Sequence, residues 1–205
     1  MRPLITAPVL AAVAVLVACS SAPAVRHHTL MPAEPPSRPQ PGASTVAIVL
    51  EPVRVPAQVD QPQWLVRGGD GAVAVLEQER WASPLADELR QALLEQWTGR
   101  FGATAQRGAA GAPPPLRIGI DIRRFDSVVD REARVDGTWT LTPGDARARP
   151  SLCEWAIREG AGPGMPALAD AHRRAVMRLA EAIGSNLAPV ARGEPARCPP
   201  PDTSP

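Results

Sequence analysis

Between residues 45 and 190 the apolar positions recur with two periods, and the change from one to the other divides the chain into elements. Thr45-Val46-Ala47-Ile48-Val49-Leu50 is a short apolar run of strand type, and Val53 and Val55 carry the extended chain to Pro56. Trp64 to Arg67 predicts a second strand. The Gly68-Gly69-Asp70-Gly71 turn follows, then a third strand from Ala72 to Leu76, so the pair predicts a hairpin. Pro84 opens a helix with Ser83 as its cap, and Leu85, Leu89, Leu93 and Trp97 make one apolar stripe at spacings of four, ended by Gly99. Ala103 to Pro115 reads as a Gly/Ala/Pro loop.

The clearest alternation comes next. Leu116, Ile118, Ile120 and Ile122 alternate with Arg117, Gly119, Asp121 and Arg123, and Ala133, Val135, Trp139 and Leu141 alternate with polar residues over 132–141. Such a pattern belongs to antiparallel strands with one face on a core and one in water. Leu152 to Ile157 predicts another strand. A last helix is expected from about Pro166 to Leu187, with Leu168, Ala175, Leu179, Ile183 and Leu187 on its buried stripe and His172 within or beside it. The sum is an α+β domain, a largely antiparallel sheet with two main helices packed on one face.

The ends follow different rules. Met1-Arg2 supplies a positive start, and the run from Leu4 to Ala18 carries no charge, which fits a secretory signal and is short for a membrane span. It closes on Leu16-Val17-Ala18-Cys19, which resembles a lipobox, so residues 1–18 are expected to be removed and Cys19 lipidated. Several acyl chains hold far more firmly than one, since each buried methylene contributes about 0.8 kcal/mol. Ser20, where Asp would be the retention signal in enteric bacteria, favours an outer-membrane address facing the periplasm. Residues 19–44 are rich in Pro, Ala and Ser and read as a tether, with a reach of roughly 75 Å if fully extended. Residues 191–205, again proline-rich, read as a flexible C-terminal tail.

Charge and cysteines narrow the function. Removal of residues 1–18 takes Arg2 and no acidic residue, leaving 21 basic and 21 acidic residues, so nothing forms a basic footprint for nucleic acid. Every basic residue is arginine. With Cys19 lipidated, Cys153 and Cys198 remain, and an oxidising periplasm predicts a disulfide between them; the alternative is one buried thiol and one in the tail. No nucleophile elbow, phosphate loop, zinc-protease motif or CxxC is present, so no catalytic, cofactor or metal residue is assigned. His27-His28 lies in the tether without a third ligand, His172 reads as structural, and Asp121, Asp126 and Asp130 can be neutralised by Arg123, Arg124 and Arg131. Trp64 and Trp81 flank loops. They could serve as interface anchors, with Asp60, Gln63, Arg67 and Arg80 beside them as partner-binding residues. For Trp81 the alternative is a seal over the core at the start of the first helix.

Ordered motifs then add a resemblance. Thr29-Leu30, Asp60-Gln61-Pro62-Gln63, Glu79-Arg80-Trp81-Ala82-Ser83-Pro84-Leu85 and Ile120-Asp121-Ile122-Arg123-Arg124-Phe125-Asp126 follow the lipobox in sequence. Together they resemble the ABC-type transport auxiliary lipoprotein family over nearly the whole mature chain. His27-His28 replaces the usual tyrosine pair, and Gln61 stands where arginine is common. The resemblance implies a non-enzymatic docking subunit of a lipid-transport system, whose partners are an MCE-domain periplasmic protein and an inner-membrane permease. A homo-oligomer would suit docking onto such an assembly. Two other classes stay open: a structural or assembly lipoprotein of another envelope complex, such as a secretion system, and a periplasmic hydrolase, for which no nucleophile–base pair is visible.

Overall fold

Alternation on the long strands places one side chain in two beneath the helices, and pairing of their backbones builds the main sheet. The computed structural model describes residues 24–34, 45–105, 114–145 and 148–200. Their elements are β1 (Arg26–His28), β2 (Ala47–Leu50), β3 (Gln63–Arg67), β4 (Val73–Trp81), α1 (Leu85–Arg100), β5 (Thr104–Ala105), β6 (Leu116–Val128), β7 (Glu132–Thr142), β8 (Ser151–Gly160) and α2 (Gly164–Ala191). The fold is α+β. Its strands divide between a three-stranded sheet, β1-β4-β3, and a five-stranded sheet, β5-β2-β6-β7-β8. The β3–β4, β6–β7 and β7–β8 pairs are antiparallel, whereas β1–β4, β2–β5 and β2–β6 are parallel.

On β7 the buried residues are Ala133, Val135, Trp139 and Leu141, the set its alternation marks. Gly137 falls in that series without a side chain for a local reason. It faces a register shift between Ile122 and Arg124, and a Cβ there would collide with the Asp121 backbone. α2 lies across β6, β7 and β8, and α1 packs against α2. Leu85, Leu89, Leu93 and Trp97 are all fully buried, and the Trp97 indole N–H donates to the Ala180 carbonyl at 3.0 Å. The Phe101 ring fills the space that a side chain at Gly184 would need, so the helices meet closely there.

Several expected boundaries move. The hairpin's second strand does not stop at Leu76 but runs to Trp81. Ser83 does not cap α1: Pro84 holds the N-cap position without a side-chain bond, and Ser83 Oγ donates to Glu88 instead. The helix passes Gly99 to Arg100, because an isolated glycine lowers helix propensity by only about 1 kcal/mol. The last helix begins at Gly164 and ends at Ala191 with Pro189 inside it, so it exceeds the expected span at both ends. β1 lies within the stretch read as tether, and β5 within the stretch read as loop. Both are very short strands in parallel pairs, which leave almost no periodic signal. In the stretch read as tail, a disulfide joins Cys198 to Cys153 on β8.

Candidate docking surface

Four aromatic rings brace the place where the three-stranded sheet meets β6 and α2. Trp64 and Trp81 pack with centroids 4.1 Å apart and planes tilted by 34°, and Phe125 lies stacked on His172 at 4.2 Å and 9°. The Trp64 indole N–H donates to Ser127 Oγ at 2.8 Å, and Ser127 Oγ is 2.8 Å from His172 Nε2. An indole nitrogen can only donate, so the serine oxygen accepts there and its own proton is free to go to Nε2. His172 Nδ1, on the other side of the ring, is buried without a partner. Burial alone pushes the imidazole down to about 3, so it is neutral across the physiological range.

The Ser127–His172 pair is a nucleophile–base distance that sequence could not reveal, because its members lie 45 residues apart. Ser127 is 1% exposed and His172 0%, so no substrate reaches the pair and it acts as packing. The same burial corrects the reading of two tryptophans as surface anchors. Trp64 and Trp81 are 1% and 4% exposed, because alternation on β3 and β4 turns both toward the core.

Two buried carboxylates tie the N-terminal segment over this cluster. Glu79 on β4 accepts from Arg26 Nε at 2.8 Å and lies 2.6 Å from His28 Nε2. Burial draws its carboxyl upward, but bonds and charge from Arg26 and His28 outweigh this and hold it below the ordinary value. Glu88 on α1 accepts from Thr29 Oγ1, the Leu30 N–H, the Ser83 N–H and Ser83 Oγ, at 2.7 to 3.0 Å. Leu30 beneath them is fully buried, and the His28 ring meets Trp64 edge-on at 5.0 Å. His27 is exposed on β1, while His28 belongs to the Glu79 group. Among the described residues no cluster could hold a metal.

The exposed part of this region is the hairpin. Its turn is closed by the Gly68 N–H to the Ala72 carbonyl at 2.7 Å and by the Ala72 N–H to Asp70 Oδ1 at 3.0 Å, with Gly71 at φ +84°. Beyond it Val73 and Val75 are 54% and 43% exposed, and Ala72 and Ala74 are exposed too. Both faces of β4 are therefore open at this end and closed at the Trp81 end. Asp60 is exposed in the turn before β3, Gln63 and Arg80 are half-buried register partners, and Arg67 pairs with Asp126 at 3.1 Å. These four polar residues line the hairpin, but the apolar tip was not foreseen. Its signal was Val73 and Val75 standing next to a glycine-rich turn, where an ordinary strand would bury one face. The acidic residues do not converge: Asp121 pairs with Arg54, Asp126 with Arg67 and Arg124, and Asp130 accepts the Gly164 N–H. Cys19 and the signal segment lie outside the described residues.

The ABC-type transport auxiliary lipoprotein component family model matches residues 28–184. A solved Xanthomonas campestris protein of the DUF330 family superposes with a TM-score of 0.64 at 18% identity, covering 82% of this chain and 98% of that one. A second solved protein, titled uncharacterized, gives 0.52 at 16% identity, over 76% of this chain and 97% of the other. Both likenesses are of fold. No curated protein sequence matches. No helix among the described residues is long and apolar enough to cross a membrane.

Proposed function

The chain belongs to the ABC-type transport auxiliary lipoprotein component family, and from that premise we propose that it works as a non-enzymatic docking subunit of an intermembrane lipid-transport system. In this reading Cys19 carries the lipid, Ser20 directs the protein to the outer membrane, and the domain faces the periplasm. Its partners are an MCE-domain periplasmic protein and, through it, an inner-membrane permease. The observation that carries the proposal is the β3–β4 hairpin, which offers exposed Val73 and Val75 from a base fixed by the buried Trp64–Trp81 pair. A small apolar contact on a rigid support loses little conformational entropy on binding. Asp60, Gln63, Arg67 and Arg80 would form its polar rim, with Trp64 and Trp81 acting beneath the surface rather than in contact. The sealing of Ser127 and His172 is consistent with a role that needs no reaction centre.

The test is a photo-crosslinker placed at Val75 in the lipidated protein within its native envelope, followed by mass-spectrometric identification of the adducts. An MCE-domain protein is expected. Adducts only to secretion-system or cell-wall components would replace transport with an assembly role and leave the family membership standing.

A further inference from the structure

The five-stranded sheet has one long edge, β8, and its outward hydrogen-bonding groups are covered at both ends. At the far end the Arg174 guanidinium donates to the Gly160 carbonyl at 2.6 Å, and Arg178 donates to the Arg158 carbonyl at 3.4 Å. At the near end Cys198 Sγ lies 3.7 Å from the Leu152 carbonyl. All three carbonyls belong to even-numbered residues, so by the period of a strand those of Glu154 and Ala156 point outward as well. The near end is held by a built contact. Asn186, 4% exposed, accepts the Arg197 N–H at 2.7 Å and donates to the Arg197 carbonyl at 3.1 Å, a strand-like pair made by one side chain. The Ala196 N–H reaches Ser151 Oγ at 3.4 Å, and the Cys153–Cys198 disulfide closes the arrangement.

We propose that the C-terminal segment Glu194–Pro200 is a guard on the β8 edge, and that its release turns β8 into a self-pairing surface for a second copy of this chain. Unpaired edges are templates for strand addition, and proteins commonly cover or charge them. The charges on β8 favour one antiparallel register. With Ala156 opposite its own counterpart, Glu154 of each copy faces Arg158 of the other and Leu152 faces Gly160. Moving the two-fold axis to Glu154 or to Arg158 sets like charges opposite each other. The arginine side chains at the far end are 51% and 54% exposed and can turn aside cheaply. The tail cannot move while the disulfide holds, so it is the decisive guard.

The experiment compares the molar mass of the intact soluble domain with that of a chain ending at Gly193 and carrying Cys153→Ala, using light scattering after gel filtration. A second variant, Cys198→Ser, loosens the tail and leaves every residue of the domain in place. The expected result is a doubling of mass in the released forms relative to the intact one. Glu154→Arg added to either variant should abolish the doubling, and Glu154→Arg with Arg158→Glu should restore it. Unchanged mass in a Cys198→Ser protein with native circular dichroism would overturn the proposal, as would a doubling indifferent to Glu154→Arg.

Discussion

Glu88 is a single carboxylate serving two segments that meet only in the folded chain, the Thr29–Leu30 stretch and the turn at Ser83. Hydrogen bonds to a charged group contribute about 1.5–3 kcal/mol, and an orphaned buried donor costs about as much. Glu88→Ala should therefore lower stability by about 3 kcal/mol, read as a shift of the urea midpoint at constant slope. Ser127→Ala orphans the Trp64 indole and His172 Nε2, and should cost about 1–3 kcal/mol while leaving partner capture unchanged. A loss of capture without a loss of stability would contradict its role as packing. His172 also sets a pH dependence. Its folded value is about 3 against an ordinary 6.5, so between those limits the unfolded chain binds the extra proton. Stability is complete above 6.5 and falls by ~1.4 kcal/mol per unit as pH drops toward 3. Glu79, lowered in the fold, acts in the same direction at the acid end, where its contribution disappears as pH falls through the folded value. Stability curves measured from pH 7 to 4 should slope accordingly, and His172→Phe should flatten them.

At the scale of elements, the β3–β4 hairpin combines a buried base with an open tip. Val73→Ser with Val75→Ser removes exposed apolar surface only, so the unfolding midpoint should move by less than ~0.5 kcal/mol while crosslinking to the partner falls. Gly71→Ala forces a side chain into a positive-φ position and should cost on the order of 1 kcal/mol. Elements of this length show what a sequence discloses. β6, β7 and both helices were legible because their stripes are long and the burial they predict is the burial found, from Ile118 to Leu187. β1 was not, since three residues in a parallel pair are held by Glu79, a partner more than fifty positions away. The surface role first read for Trp64 and Trp81 failed for a related reason. A tryptophan beside a turn looks exposed until pairing decides which face it takes.

Across the whole molecule, the disulfide and the proposed lipid anchor at Cys19 lie toward opposite ends of the chain. Loop-closure entropy for the 45-residue separation of Cys153 and Cys198 corresponds to roughly 4 kcal/mol, so reduction should lower Tm by roughly 10 °C if the native geometry is otherwise kept. Calorimetry with and without a dithiol reductant measures this directly. The pairing itself was open to cysteine arithmetic, but the Asn186–Arg197 contact was not, because a polar residue on a helix gives no sign of a tail folding back to it. At the other end, β1 runs parallel to β4 and is the first described strand after the expected lipid anchor. Tension drawn along β1 toward residue 24 would load its bonds to β4 and the Glu79 and Glu88 contacts together, in shear, instead of peeling them one at a time. The domain would thus behave under membrane drag as a mechanically stiff fixture, with its hairpin held in a constant bearing while the anchor is pulled.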